Sequence, residues 1–363
     1  MGWGRAWFAC GWLVLGALGC DPPATAETGP NAKAPSTEER PAATPPKRSE
    51  VDTEGLLIGE FRLASDPVID GDTIRVEGIE GSVRLLGIDT EERFHGKGER
   101  AAAEKDFAAY LKRRRGNSAR PTKTGTPMGE EAKTFAEEFF AGADTVRLER
   151  DDPKALRGGF GRVLAYAFVK KDGRWTSYNI ESVRAGMSPY FTKYGYSHRF
   201  HNQFSRAEAE ARRANRGIWN PDAQGYGDYE ERTAWWNARA DFFRAFEQEA
   251  NARDEYIDLS DWDALEELES HVGEEAVVLS TVSDIKRFKR LTRVSLSMGG
   301  ERAFPLIFFD RGVFEESGIG AFRREPIVAR GKVERYKKGN YETLQIVIER
   351  PEQLLLPTLP STD

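Results

Sequence analysis

The chain is almost without cysteine and histidine. Its 363 residues include two cysteines, Cys10 and Cys20, and four histidines. Both cysteines lie within or at the end of the first apolar segment, so the rest of the chain has no thiol for a disulfide, a thiolate nucleophile or a zinc cluster. The four histidines are scattered, which argues against a His-rich metal site.

An excess of positive charge is also missing. Charged residues make up 31% of the chain, and its formal net charge is -6. Any attraction for a polyanion must therefore come from local basic clusters or from a bound metal ion. The length exceeds that of most single domains and favours two folded units with tails.

The N-terminus has an apolar run that is too short to cross a bilayer. Residues 8–18 follow the single basic side chain of Arg5, whereas a spanning helix needs about 20 apolar residues. The pattern is typical of a secretory signal. Its end, Ala17-Leu18-Gly19-Cys20, resembles the lipobox of bacterial lipoproteins, which implies lipidation of Cys20 and anchoring to a membrane of the bacterial cell envelope. Simple secretion after cleavage and a retained apolar anchor are the alternatives.

The next segment is too polar to fold. Residues 21–55 are rich in Pro, Ala, Thr, Glu and Lys and have almost no large apolar side chains. Such a composition cannot bury enough surface to offset the entropy of ordering. We therefore predict a lipoprotein signal peptide over residues 1–20 and a disordered linker over residues 21–55, which acts as a spacer from the membrane.

Two short strand patterns follow, with acidic residues on both sides. Residues 74–76 and 83–88 lie on either side of a glycine turn and predict an antiparallel hairpin. Asp72 precedes the hairpin and Asp89 follows it. If the strands pair, the two carboxylates converge and form an oxygen-lined site suited to Ca²⁺. The alternative is an ordinary turn and an ordinary helix-capping segment.

Three motifs in this order resemble the staphylococcal nuclease (thermonuclease) family. They are Val68-Ile69-Asp70-Gly71-Asp72-Thr73, Arg84-Leu85-Leu86-Gly87-Ile88-Asp89-Thr90-Glu91-Glu92 and Gly161-Arg162-Val163-Leu164-Ala165-Tyr166. The resemblance covers about residues 58–221 and closes with Asn215-Arg216-Gly217-Ile218-Trp219. It implies a mainly β fold with helices (α+β), built on an OB-type five-stranded β-barrel. It also implies calcium-dependent endo- or exonucleolytic hydrolysis of DNA, with RNA as a second candidate substrate, leaving 3′-phosphates.

The resemblance assigns metal-binding roles to residues beside the hairpin. Asp72 and Asp89 would bind Ca²⁺ through their carboxylates. Thr90 would add its backbone carbonyl. Carboxylate and carbonyl oxygens are the ligands that this cation prefers.

Catalytic roles follow from the same resemblance. Arg84 and Arg162 take the places of the two guanidiniums that grip the scissile phosphate, and Glu92 takes the place of the acid that activates water. Guanidiniums and a divalent cation suit a reaction that increases negative charge on phosphate oxygens. The family usually has Thr-Pro-Glu where this chain has Thr90-Glu91-Glu92, so Glu91 and Glu92 both stay candidates for orienting the water.

A segment inserted after Glu92 departs from the family. Residues 100–115 have helical spacing, and residues 116–126 form a polar loop that contains Arg120 and Lys123. The run Lys112-Arg113-Arg114-Arg115 could steer a polyanion toward the site. The alternative is a solvated helix end whose cations complement the helix dipole.

A second β pattern lies near the C-terminus. We predict a nuclease-like domain over residues 56–222, a helical connector over 223–272, an OB-like barrel over 273–357 and a tail over 358–363. OB-folds often bind single strands through aromatic and basic side chains. The run Lys286-Arg287-Phe288-Lys289-Arg290 would suit that task; a protein-docking or purely structural barrel is the alternative.

Three functions compete at this stage: a metal-dependent nuclease, a non-catalytic nucleic-acid-binding module, and an envelope scaffold for protein partners. The acidic and arginine residues of the nuclease motifs are all present, which favours the enzyme. We expect DNA or RNA as the partner, contact with a membrane through the lipid anchor, and a monomer.

Overall fold

The first sheet closes on itself. The computed structural model describes residues 53–154, 162–251, 253–299 and 302–360. Neighbouring strands pair in the order β3-β2-β1-β4-β5-β6, and a parallel pairing of β3 with β5 closes a five-stranded barrel. The strands are β1 (Leu57–Asp70), β2 (Thr73–Val76), β3 (Val83–Leu85), β4 (Thr145–Glu149), β5 (Val163–Lys171) and β6 (Arg174–Ser177). This closed OB-type barrel with helices confirms the predicted fold class.

The predicted hairpin is formed by β2 and β3. Thr73 pairs with Arg84 and Ile74 with Val83. Strand β3 stops at Leu85 rather than continuing to residue 88, because Gly87 has a φ of +71°, a conformation that interrupts a strand. Gly87 also lies against the Phe204 ring, which is only 2.6 Å from where a Cβ would stand.

The described part of the first domain contains five α-helices. They are α1 (Lys97–Lys105), α2 (Phe107–Arg115), α3 (Pro127–Phe140), α4 (Tyr178–Arg184) and α5 (His201–Arg213). The helical spacing over residues 100–115 corresponds to two helices, α1 and α2, rather than to one. The chain is extended at Asp106, whose side chain accepts from the Ala109 amide at 2.9 Å and caps α2. An N-cap side chain of this kind starts a new helix.

The second sheet repeats the pairing pattern of the first. Strands pair in the order β13-β11-β12-β10-β9-β8-β7, and β11 also pairs with β8, so five of them close into a ring. The strands are β7 (Tyr256–Asp258), β8 (Glu275–Arg287), β9 (Thr292–Ser297), β10 (Ala303–Phe308), β11 (Pro326–Lys338), β12 (Tyr341–Val347) and β13 (Leu354–Leu355). As in the first barrel, the third and fifth strands of the ring, β10 and β12, pair in parallel.

The connector between the barrels is not helical throughout. It contains α6 (Tyr229–Ala250) and α7 (Ala264–Ser270), and a further short helix, α8 (Arg311–Glu316), follows β10. Between α6 and α7, however, β7 pairs in parallel with β8 and extends the second sheet. Three residues are too few to give a readable alternation, so the sequence pattern did not separate this strand from the helices around it.

Helix α6 packs against α3 of the first domain and against the second sheet. Near its start, Tyr229 shares an apolar cluster with Met128 and Ile218. Near its end, Phe246 packs with Val277 and other side chains of the second sheet. The described residues all lie in one compact unit.

The N-terminal predictions concern residues outside the described part. The signal peptide, Cys20 and most of the linker lie there, as does Gly161 of the third motif. Within the described ranges, no helix is both long enough and apolar enough to cross a membrane.

Candidate active site

The turn between β1 and β2 presents Asp72 at one end of the barrel. Gly71 precedes it, and a Cβ at Gly71 would stand 2.7 Å from Thr90 Cγ2 and 2.8 Å from Ala132 Cβ. A side chain cannot fit there, so glycine lets the turn approach the acidic segment that follows β3. Asp72 is 6% exposed and accepts at 2.8 Å from the Thr73 hydroxyl.

Arg84 joins the two ends of the hairpin. Its guanidinium forms an ion pair with Asp72 Oδ2 and donates at 2.5 Å to Asp89 Oδ1. It also donates to two main-chain carbonyls, at 3.3 Å to Asp72 and at 3.1 Å to Ile88. Strand pairing therefore brings Asp72 and Asp89 together as predicted, and one guanidinium spans both carboxylates.

The acidic segment after β3 is held by its backbone. The Asp89 amide donates at 2.8 Å to the Ser188 hydroxyl, and the Thr90 amide donates at 3.3 Å to Asp72 Oδ2. Burial raises the pKa of Asp89, but the positive charges of Lys123 and Arg84 outweigh burial, and the pKa lies below its usual value. Asp89 is therefore ionised at neutral pH.

Glu91 and Glu92 point to different places. Glu91 is 1% exposed. It accepts from the Thr126 hydroxyl, at 2.7 Å from the Tyr226 amide and at 2.6 Å from the Tyr229 hydroxyl. Burial raises the pKa of Glu91, against the hydrogen bonds from Thr126 and Tyr229. Glu91 therefore anchors helices α3 and α6 to the acidic segment.

Asp72, Arg84 and Asp89 form a charged cluster at this end of the barrel. The Glu92 side chain points to Lys123, which also contacts Asp89 of this cluster. The Glu92 side chain is 30% exposed, and its Oε1 lies 3.3 Å from Lys123 Nζ. Its main chain is fixed, because its amide donates at 3.2 Å to the Tyr226 hydroxyl and its carbonyl accepts at 3.0 Å from the Thr126 amide. Of the two acids left open by the sequence, Glu92 is the one whose carboxylate reaches the cluster.

Lys123 is a member of the cluster that sequence reasoning missed. Its Nζ donates at 2.7 Å to Asp89 Oδ1 and lies next to Glu92. It comes from the polar loop of the inserted segment, about 30 residues beyond Glu92 in the sequence. No spacing rule in the sequence selects this lysine, because the return of its loop to the acidic segment is made by the fold.

Two comparisons with known proteins agree on the first barrel. The family model described as Staphylococcal nuclease homologue matches residues 82–221. The uncharacterized protein MJ1439 of Methanocaldococcus jannaschii is 31% identical over 155 residues, which cover 42% of this chain and 69% of that protein. The chain belongs to the staphylococcal nuclease homologue family.

Membership in the staphylococcal nuclease family gives the chain a nuclease-type domain of a fold associated with nucleic acids. The matched range begins at residue 82, so Asp72 precedes it. The placement of Asp72 beside Arg84 and Asp89 therefore rests on the contacts in the structure and not on the family match.

Arg162 lies at the adjacent strand. It immediately precedes β5, whose Leu164 pairs with Arg84. Val163 and Ala165 point into the core and Leu164 is less buried, as in β3, where Arg84 lies between buried Val83 and Leu85. Alternation along β5 thus assigns Arg162 to the outward face that carries Arg84.

The donor set of this staphylococcal nuclease homologue fits a hard divalent cation. Asp72 and Asp89 provide carboxylate oxygens within the reach of one guanidinium, and carboxylates are calcium ligands. Among the described residues no group of three or more His, Cys, Asp or Glu side chains could hold a metal ion. A calcium ion would therefore need backbone carbonyls, such as that of Thr90, and water to complete its ligands.

The basic residues predicted on the second barrel lie apart from this cluster. They occupy the end of β8 and the turn to β9. Phe288 is 49% exposed, Arg287 lies over the Phe314 ring at 5.2 Å, and Lys286 pairs with Asp284 at 3.4 Å. Nucleic-acid binding by the run Lys286-Arg287-Phe288-Lys289-Arg290 stays a prediction.

The basic run at the end of α2 is held partly in ion pairs. Arg115 pairs with Glu231 at 2.7 Å and Asp228 at 3.3 Å, and Arg114 lies 3.6 Å from Glu99. These contacts favour a structural role over polyanion steering for Arg114 and Arg115.

Proposed function

We propose that this chain is a calcium-dependent nuclease that hydrolyses phosphodiester bonds of DNA, with RNA as a second candidate substrate, and that it leaves 3′-phosphates. One observation carries the proposal. Arg84 binds both Asp72 and Asp89, so a phosphate-binding guanidinium and two candidate metal ligands share one site in a member of a nuclease family.

The side chains of the site have separate roles in phosphate binding and proton transfer. Arg84 is held at the site by two main-chain carbonyls as well as by Asp72 and Asp89, and its planar guanidinium could bind phosphate oxygens once a cation takes over the two carboxylates. Arg162 offers a second guanidinium from β5. Glu92 is the partly exposed carboxylate that can take a proton from the attacking water.

Asp72, Asp89 and the Thr90 carbonyl would hold the calcium ion. When bound, this ion would neutralise negative charge that develops on the phosphate and lower the pKa of a bound water. Buried donors surround the carboxylate of Glu91, which supports Glu92 rather than Glu91 as the base.

Cleavage and binding of single-stranded DNA test the proposal. The purified chain is incubated with labelled DNA in Ca²⁺ or in chelator, and product ends and gel shifts are measured. We expect cleavage with 3′-phosphate ends in Ca²⁺ and none in chelator. A gel shift without cleavage would support a binding module instead, and neither cleavage nor a shift would support a scaffold.

We also propose that Cys20 carries a lipid that anchors the chain to a membrane of the bacterial cell envelope. The support is the Ala17-Leu18-Gly19-Cys20 sequence after an apolar run, followed by a polar segment. Labelling of cells with radioactive palmitate tests it. Label should enter the wild-type chain and be lost in Cys20→Ala; equal labelling of both would contradict the assignment.

A further inference from the structure

The inserted loop places a cation on the carboxylates of the proposed nuclease site. Lys123 Nζ lies 2.7 Å from Asp89 Oδ1 and 3.3 Å from Glu92 Oε1. Its side chain is 44% exposed, while that of Asp89 is 6% exposed. The Lys123 side chain thus extends from a partly exposed stem to the buried carboxylate of Asp89.

The backbone on both sides of Lys123 is anchored. Arg232 of α6 donates to the Thr122 carbonyl, and the Thr124 amide donates at 3.1 Å to the Tyr226 hydroxyl. Gly125 also forms a bridge with Glu92. Hydrogen bonds at the residues on both sides of Lys123 therefore hold its side chain within contact distance of Asp89.

The second barrel contributes to the same loop. Arg120 lies 3.7 Å from Glu325, which immediately precedes β11, and donates at 3.2 Å to the Pro360 carbonyl. Its guanidinium also lies 5.3 Å from the centre of the Trp235 ring of α6. The position of the loop thus depends on parts of the chain outside the nuclease barrel.

Lys123 is easier to displace than the other cation of the cluster. Arg84 is held by two main-chain carbonyls as well as by Asp72 and Asp89. The hydrogen bonds of Lys123 are to two carboxylates, one of which is a proposed metal ligand. A divalent cation on Asp89 would repel an ammonium at this distance and take over its partner.

We propose that Lys123 is a built-in competitor of the divalent cation: it occupies the carboxylates of the site until the metal displaces it, and it thereby weakens calcium binding. This inference rests on the proposed function and adds a regulatory role for the inserted loop. When no metal is bound, the ammonium also adds to the charge of Arg84 beside the buried carboxylate of Asp89, because a buried carboxylate is destabilising unless cations balance its charge.

Calcium binding to the full chain, measured calorimetrically without nucleic acid, tests the inference. The proteins are wild type, Lys123→Met, Lys123→Arg and the control Lys112→Met, whose exposed lysine lies on α2. We expect Lys123→Met to bind Ca²⁺ about tenfold more tightly than wild type or better, as removal of one nearby charge implies. Lys123→Arg and Lys112→Met should bind like wild type.

Unchanged or weaker binding by Lys123→Met would overturn the inference. If that result came with calcium-dependent cleavage by wild type, the proposed function would stand without it. If neither wild type nor Lys123→Met bound Ca²⁺, the calcium dependence would fall together with the inference.

A second measurement needs no variant. Amine acetylation of the wild-type chain is followed by mass spectrometry with and without Ca²⁺. Displacement predicts faster modification of Lys123 in Ca²⁺ and no change at Lys112. Equal rates at Lys123 would show that the metal does not move it.

Discussion

At the scale of single residues, the proposed nuclease site depends on the different positions of the adjacent acids Glu91 and Glu92. Glu91 accepts three hydrogen bonds from buried donors, while Glu92 extends to the cluster around Asp89. The sequence left both as candidates because no regular pattern fixes the directions in which neighbouring side chains of a loop point. The contacts of Tyr226 and Tyr229, more than 130 residues away in the chain, separate them.

Glu92→Gln and Glu91→Gln should therefore fail in different ways. Glu92→Gln removes the proton acceptor, so cleavage should slow by about 10²–10⁴-fold with little change in the melting temperature. In Glu91→Gln an amide NH₂ would meet a buried donor, so the free energy of unfolding should fall by about 1–3 kcal/mol.

Cleavage rates and thermal melting of both variants check this pair of outcomes. The two assays together separate loss of chemistry from loss of structure. A slow but fully stable Glu91→Gln beside an active Glu92→Gln would reverse the assignment.

At the scale of elements, the start of α3 is packed directly against the acidic segment. A Cβ at Gly129 would lie 2.0 Å from the Glu92 carbonyl oxygen and 2.9 Å from that of Glu91. Both neighbours are backbone, so neither can move aside as a flexible side chain would. Helix and acidic segment are thus held at a distance that only glycine permits.

Gly129→Ala should shift Glu92 and destabilise the chain by about 1–3 kcal/mol, the usual cost of overpacking. Its matched control is Gly98→Ala in α1, where nothing lies within 4 Å of an added Cβ; there the change should be neutral or stabilise by up to about 1 kcal/mol. Urea unfolding and cleavage rates measure both. Wild-type stability and activity in Gly129→Ala would contradict the close contact between Gly129 and the Glu92 carbonyl.

An ionic cluster around His198 joins α6 to the loops before β5 and α5. His198 lies 3.5 Å from Asp152 and 3.4 Å from Glu247, with Asp151 at 3.9 Å. Hydrogen bonds to Asp152 and Glu247 raise the pKa of His198 from 6.5 to about 10, against the effect of burial. The protonated ring therefore stabilises the fold fully below pH 6.5, and this contribution declines as pH rises and is lost around pH 10.

His198→Gln should remove that dependence. We expect the gap in urea midpoint between wild type and variant to be largest at pH 6 and to close toward pH 10. Because the His198 side chain is 47% exposed, salt should reduce the gap. A gap that is constant with pH would show that the charge of His198 contributes nothing.

Local elements were predictable and long-range placements were not. The β2–β3 hairpin and the meeting of Asp72 with Asp89 follow from a short turn between paired strands. The break at Asp106 was missed although an Asp before a helical pattern is an N-cap signal. Lys123 was beyond prediction, because its position depends on Arg232 and Tyr226, which hold the loop from other parts of the chain, and on the contact of the loop residue Arg120 with Pro360.

At the scale of the whole molecule, a buried ion pair connects α6 with the second barrel. Arg239 is fully buried and pairs with Glu325, which also accepts at 3.1 Å from the Trp235 indole. Arg239 donates as well at 2.9 Å to the carbonyl of Lys193, in the nuclease-type domain. One guanidinium thus links helix, first domain and second barrel.

Glu325→Ala should leave Arg239 buried without its carboxylate and reduce the free energy of unfolding by about 3–5 kcal/mol. The control is Glu342→Ala, which breaks exposed pairs with Arg335 and Lys337 and should leave the stability nearly unchanged, because water and salt screen such pairs. Chemical denaturation compares the two. Equal effects of the two substitutions would contradict a connection of this strength.

The dependence of cleavage on free calcium separates a calcium-dependent nuclease from the alternative functions. Initial rates of single-stranded DNA cleavage by the purified chain are measured as Ca²⁺ is raised from chelator-buffered background to saturation. We expect a cleavage rate that is at background without calcium and that rises to a plateau as calcium saturates the site. A rate that is the same with and without calcium, or no cleavage at any calcium concentration by folded protein, would contradict the proposed function.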